Sequence, residues 1–281
     1  MKLHRTLRLS LLLISCALLI AGGVSVQAAT DKEYVPHAYQ EGKDVVWVPT
    51  EQALTDKMLD LAKVTPQDYV IDLGSGDGRI PITAGRRGAR ALGIEYNPDM
   101  VALSKRNAIK AGVTERVTFV KGDLFESDFS QATVITMFLL PDINLKLRPR
   151  ILDLKPGTRV VSNSFNMAEW EADKTVSVSP EEGCNNNFCQ AYLWIVPAKV
   201  EGAWNMPQGK LLLTQRFQEF LGELQSGANA GKVTNGRLNG DQISFTVGNA
   251  EYTGRVNGKT MQGTVKSAGN TSNWRAERGG Y

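Results

Sequence analysis

Residues 70–80 read VIDLGSGDGRI, and no other stretch of the 281-residue chain limits its fold as much. Val70, Ile71 and Leu73 form a short apolar run of the kind that makes a buried parallel strand. Gly74, Gly76 and Gly78 follow at alternate positions, and a helix-like segment begins at Arg79. Glycine has no Cβ, so the backbone can turn sharply there and a ligand can come close. Strand, glycine turn and helix N-terminus together predict the nucleotide-binding corner of an α/β sheet. The spacing narrows the ligand. A dinucleotide corner needs G-x-G-x-x-G, and Arg79 stands where its third glycine would fall. Asp72, two residues ahead of Gly74, would repel a pyrophosphate but suits a ligand with a cationic amino-acid end. Both features disfavour a nicotinamide-dependent oxidoreductase.

The elements that follow extend the sheet. Thr50 is placed to cap a helix running to about residue 64, with Met58, Leu59, Leu61 and Ala62 as its apolar face. Residues 79–88 are a short helix and residues 90–95 (RALGIE) the second strand. In doubly wound sheets an acid about 20 residues past the glycine turn holds ribose hydroxyls, and Glu95 follows Gly74 by 21. Asn97, with Pro98 behind it and Gly112 at the far end, predicts a capped helix. Residues 117–120 form the third strand and run into Lys121-Gly122-Asp123-Leu124. Asp123 thus closes a third strand at the same edge, where it can accept an adenine amino group while Leu124 packs on the ring. Residues 132–140, 158–165, 174–179 and 191–196 are the remaining strands, the last two forming a hairpin. Seven strands alternating with helices give an α/β/α sandwich, with the ligand beyond the C-terminal ends of the strands.

The two ends of the chain differ from this middle. Lys2, Arg5 and Arg8 precede an apolar run over residues 9–24, and Val26-Gln27-Ala28 offers small residues for cleavage. Residues 1–28 therefore read as a secretory signal peptide, which places the body in the periplasm or cell envelope. Lipidation at Cys16 and retention of the run as a membrane anchor are the two other readings, and both also leave the body outside the cytoplasm. Removing residues 1–28 takes away three of the 32 basic residues and none of the 29 acids. The remaining chain is formally neutral, with no basic excess to attract nucleic acid. Cys184 and Cys189, in GCNNNFCQ, are expected to pair in an oxidising compartment. A metal site is not expected, because His37 is the one histidine left after cleavage. From residue 199 onward the helical pattern stops. Asn235-Gly236, Asn239-Gly240 and Asn257-Gly258 alternate with β-patterned runs, which predicts a small antiparallel barrel or sandwich over residues 199–281. The sheet domain then occupies residues 29–198. The leader before Thr50 is either a loop packed on the core or a lid over the cleft.

The pattern D-x-G-x-G-x-G resembles motif I of the seven-strand S-adenosylmethionine (SAM) methyltransferases. Over residues 46–167, VWVPTEQALTDKMLDLAKV, VIDLGSGDGRI, GIEYNPDMV, GDLF and MFLLPDINLKLRPRILDLKPGTRVVSNSF are similar to the ATP synthase c-subunit lysine methyltransferase family. They resemble more distantly the histone lysine methyltransferases related to disruptor of telomeric silencing. The resemblance covers under half of the chain, and the N/D-P-P-Y motif of base and amide methylation is absent from the fourth strand. It implies a Rossmann-like methyltransferase sheet with SAM held by Asp72, Gly74, Ser75, Gly76, Gly78, Glu95, Asp123 and Leu124. It also implies an acceptor channel bordered by Trp47, Thr50, Phe138 and Leu139, and methyl transfer to an amine such as a protein lysine. No residue identifies itself as a general base. The resembling families act inside cells, so the export signal, the cysteine loop and the C-terminal β domain are departures. They keep a second reading open, that of a non-catalytic envelope protein that binds a small molecule or a partner on a methyltransferase fold. Neither reading fixes the oligomeric state.

Overall fold

The computed structural model describes residues 34–227 and 230–279. The expected signal peptide, Cys16 included, lies outside the described residues. β1 (Tyr69–Leu73) is the centre of the first sheet. It pairs in parallel with β2 (Arg90–Glu95) on one side and with β4 (Val134–Met137) on the other. β3 (Val117–Lys121) and β5 (Arg159–Asn163) extend the parallel set outward. β7 (Gln190–Ile195) then runs antiparallel to both β5 and β6 (Lys174–Ser177). The resulting order is β3-β2-β1-β4-β5-β7-β6.

Alternation along each strand assigns residues to opposite layers. Val70 packs in the cluster built on α1 (Gln52–Leu61), α2 (Arg79–Arg86) and α3 (Pro98–Ala111). Its neighbour Ile71, and Leu73 after it, pack in the cluster built on α4 (Pro141–Leu152). This is the α/β/α sandwich. α3 is delimited as its sequence requires: Asn97 Oδ1 accepts from the Asp99 and Met100 amides, and Gly112 ends the helix at φ 68°.

Several strand and helix ends fall one or two residues from their expected limits, and two of the differences shape the cleft. Thr50 does not cap α1, whose N-cap is Glu51 without a side-chain hydrogen bond. The Thr50 hydroxyl instead accepts from Asn163 Nδ2 at 3.1 Å, so the cleft claims the side chain that the helix was expected to use. The fourth strand is also shorter than residues 132–140. It pairs only while both neighbours continue, and Phe138 and Leu139 then leave the sheet to line the cleft.

Past β7 the chain enters a closed eight-stranded barrel, β8 (Gly202–Met206), β9 (Gly209–Arg216), β10 (Glu219–Gln225), β11 (Gly231–Asn239), β12 (Gln242–Val247), β13 (Ala250–Asn257), β14 (Thr260–Ser267) and β15 (Asn270–Arg278). Each strand is antiparallel to the next, and β15 closes the ring on β8. Of the two architectures expected there, the chain adopts the barrel. Its interior is filled by Trp204, Phe220, Phe245, Tyr252, Met261 and Trp274. Asn239-Gly240 and Asn257-Gly258 are hairpin turns, but Asn235-Gly236 is not. It sits inside β11 at a register shift, with Asn235 at φ 53°. A Cβ on Gly236 would stand 2.1 Å from the Phe220 carbonyl oxygen, so the dipeptide makes a bulge where strands approach closely. The barrel is tied to the sheet domain through Phe217, stacked on Trp170 at 5.9 Å, and through Gln218, which donates to the Glu171 carbonyl at 2.9 Å.

Candidate active site

The C-terminal edge of β1, β2 and β3 opens into a cleft. Backbone hydrogen bonds fix its corner: the amides of Gly74 and Ser75 both donate to the Ile94 carbonyl, at 2.9 and 3.0 Å. Gly78 has φ 84°, and a Cβ there would meet the Phe119 ring at 2.6 Å and Ser104 Cβ at 2.8 Å. Only glycine lets α2 start so close to β3 and α3. Glu95 binds this corner with both oxygens, Oε2 accepting from the Gly76 amide and Oε1 from the Asn97 amide, each at 2.9 Å.

Asp72 is buried and accepts from the Thr136 hydroxyl at 2.7 Å. Burial pushes its carboxyl up to about 7; the Thr136 hydrogen bond opposes this, and the charges of Glu95 and Asp77 add to it. Asp123, on the loop after β3, accepts from the Phe125 amide at 2.9 Å and pairs with the Lys43 ammonium. The Lys43 hydrogen bond holds the Asp123 carboxyl below its ordinary value and raises the Lys43 ammonium in turn. The Asp123 loop is held from α4, where the Arg150 guanidinium donates to the carbonyls of Leu124, Phe125 and Ser127.

The leader forms one wall of this cleft, and its Val45 also packs on the core. Gln40 to Thr50 line the opening together with the glycine corner. The segment is folded back on itself, with the Tyr39 amide donating to the Trp47 carbonyl at 2.8 Å and the Trp47 amide to the Gln40 carbonyl at 2.9 Å. The Trp47 indole lies against Gly76, where a Cβ would be 2.5 Å from its Nε1. Arg79 hooks the leader to the corner: it donates to the Thr50 carbonyl at 2.6 Å and forks onto the Asp77 carboxylate.

All the residues singled out in the sequence except Gly78 and the two cysteines line this cleft: Trp47, Thr50, Asp72, Gly74, Ser75, Gly76, Glu95, Asp123, Leu124, Phe138 and Leu139. Gly78 lies beneath it, at the start of α2. Cys184 and Cys189 are joined in a disulfide between β6 and β7. Sequence reasoning missed Lys43, Arg79, Arg150 and Asn163. The partners of Lys43, Arg150 and Asn163 lie far off in the chain or on its backbone, and Arg79 joins its neighbour Asp77 to the Thr50 carbonyl 29 residues away, so no local pattern marks these roles. The one available signal was Arg79 itself, an arginine at a position where a glycine is otherwise wanted.

A family model described as the ANTKMT methyltransferase domain matches residues 72–174. A protein-lysine N-methyltransferase of Saccharolobus islandicus (strain REY15A) is 43% identical over 166 residues, covering 58% of this chain and 96% of that enzyme. The ATP synthase c-subunit lysine N-methyltransferase of Mus musculus is 36% identical over 107 residues, 38% of this chain and 43% of its own length. Among solved structures, an RNA methyltransferase from Salinibacter ruber in complex with S-adenosyl-L-homocysteine (SAH) is 48% identical, with a TM-score of 0.50. That match covers 54% of this chain and 96% of the other.

Proposed function

Because the chain belongs to the protein-lysine N-methyltransferase family, a group of SAM-dependent methyltransferases, we propose that it methylates a protein lysine in the cell envelope. The observation that carries this reading is the convergence of Asp72, Glu95 and Asp123 on one cleft that Phe138 and Leu139 also line. The relatives do not favour a non-catalytic binding protein.

The residues present fit SAM. Asp72 and Glu95 offer carboxylates to an amino-acid ammonium and to ribose hydroxyls, and Leu124 offers an apolar surface to a base. Gly74 and Gly76, at the glycine corner, have no side chain to stand between the backbone and a ligand. Asp123 has spare acceptor capacity, although Lys43 shares it. When bound, SAM supplies an electrophilic methyl group on a sulfonium whose departure leaves neutral SAH. The chain supplies placement. The glycine corner and Glu95 fix one reactant, the leader and the ends of β4 and β5 direct the other, and orientation of this kind accounts for much of such a rate enhancement. The attacking amine must be neutral. Phe138 and Leu139 make the acceptor wall apolar, and desolvation along it favours the uncharged form, so the proton leaves to solvent before the amine reaches the methyl group.

Localisation in the envelope is supported by the basic and apolar N-terminal stretch and by the Cys184–Cys189 disulfide. The Salinibacter ruber relative is described as acting on RNA. Against an RNA acceptor here stands the formal neutrality of the chain once residues 1–28 are removed. Incubation of the protein with methyl-labelled SAM and an envelope extract, followed by mapping of labelled peptides, tests the reading. Label on a lysine is expected; labelling no stronger than that given by Glu95→Ala would refute it.

A further inference from the structure

The cysteine loop belongs to neither the glycine corner nor the barrel, yet its Phe188 touches Phe138, a residue of the cleft. The disulfide closes residues 184–189 into a short ring of chain between β6 and β7. Inside it Asn186 works in two directions. Its side-chain carbonyl accepts from the Phe188 amide at 2.7 Å, and its amide group donates to the Glu51 carboxylate at 3.2 Å, at the start of α1. Phe188 is thereby set against two rings from the ends of β4 and β5. Its centroid lies 5.2 Å from Phe138 and 6.2 Å from Phe165, and those two are 6.0 Å apart. All three rings are half-buried, so each keeps an open surface. Phe138 also lines the cleft, which makes the cluster continuous with it.

Charge points the same way. Between Lys174 and Lys199 the chain carries Glu181 and Glu182 and no basic residue, and Glu51 adds a carboxylate beside the loop. Aromatic faces attract an alkylammonium through the ring quadrupole, and carboxylates attract it through space. The same acids repel a phosphate backbone.

We propose that the disulfide-closed loop builds the acceptor mouth of the cleft, with Phe188, Phe138 and Phe165 receiving the alkylammonium side chain of an incoming protein lysine. This rests on the lysine-acceptor reading above. Phe188 is the specificity-determining member, because it is the one ring delivered by the loop rather than by the sheet. The rings take the apolar stem and the cationic end together. The disulfide limits the conformations open to the loop, so that Phe188 stands in place before the acceptor arrives.

The test is a calorimetric titration of a blocked Gly-Lys-Gly peptide, and of its norleucine counterpart, into the protein with and without saturating SAH. Wild type, Phe188→Ala, Phe188→Tyr and the double variant Cys184→Ser/Cys189→Ser are compared. The lysine peptide is expected to bind wild type more tightly than the norleucine peptide. Phe188→Ala should weaken it about tenfold, Phe188→Tyr should restore it, and the double cysteine variant should fall toward Phe188→Ala. SAH affinity should be the same in wild type and both Phe188 variants, a readout that general unfolding would not spare. Equal lysine-peptide affinity in wild type and Phe188→Ala would overturn the proposal. So would equal binding of the two peptides, or no lysine-peptide binding to wild type in either condition. Preferential binding of a single-stranded RNA decamer, lost in Phe188→Ala, would overturn it in favour of a nucleic-acid mouth. Failure of wild type to bind SAH is read separately, and it contradicts the methyltransferase reading rather than the assignment of the mouth.

Discussion

The two cores of this molecule are built from similar residues and end differently. In the barrel the interior is filled and shut: Phe245 stacks on Tyr252 at 4.6 Å, Trp274 meets Phe245 edge-on at 5.6 Å, and the ring of strands leaves no edge within it. In the sheet domain the core opens at the C-terminal ends of β1 to β3. A buried carboxylate, Asp72, stands there in place of further apolar packing. Groups of this kind are costly to bury and are kept where a ligand compensates them. The contrast assigns the chemistry to the sheet edge and stability to the barrel.

The largest effects should separate the two regions. Trp274→Ala removes a large, nearly fully buried side chain from the barrel and should cost about 3–5 kcal/mol of stability. It should leave SAH affinity unchanged at temperatures where the protein stays folded, as thermal denaturation and calorimetry on the same sample will show. A parallel loss of SAH binding would break the separation. Glu95→Ala should do the reverse. It removes the acceptor of two backbone amides at the corner and should weaken SAH roughly 100-fold, or ~2.7 kcal/mol, with the barrel's unfolding transition unmoved.

Asp72 sharpens the comparison through pH. Its carboxyl titrates near 7 in the folded chain, well above its ordinary 3.8. Between those two values the native state therefore binds more protons than the unfolded state, and stability falls as pH rises toward 7. Ligand binding should oppose this trend. A cationic ligand end favours the ionised form, so affinity for SAH should drop by up to about tenfold per unit as pH falls below 7. Asp72→Asn should flatten both profiles, and an unchanged pH profile in that variant would assign the dependence to another group.

The smallest effect belongs to the leader. Lys43 pairs with Asp123, the carboxylate proposed for the ligand, so Lys43→Ala should strengthen SAH binding about threefold at low ionic strength. The gain should vanish in high salt as exposed charges are screened. Weaker binding in the variant would instead make Lys43 part of the ligand's own shell.

Much of this arrangement was legible in the sequence because each acid follows an apolar run that can only be a buried strand. Asp72, Glu95 and Asp123 then fall at one edge by topology alone. The barrel was legible from its turn dipeptides, with the exception of Asn235-Gly236. There the same dipeptide chemistry serves a bulge, since the Phe220 backbone and not the local sequence sets the conformation. Contacts between distant segments were not legible. The Lys43–Asp123 pair spans 80 positions, and Asn163 reaches Thr50 across 113. Neither has a period or a spacing to reveal it. Phe188 was hidden for a related reason: within GCNNNFCQ the cysteines carry the pattern, and the ring beside them looks like an ordinary loop residue until the fold sets it against Phe138.

On the reading proposed above, the cleft at the end of β1 to β3 holds SAM over an ionised Asp72. Calorimetric titration of SAM and SAH into the purified chain, beside Asp72→Ala, tests it most directly. Binding with a Kd on the order of micromolar, lost in the variant while the fold persists, is the predicted result. A folded wild type that takes up neither ligand would rule out a SAM site in this cleft.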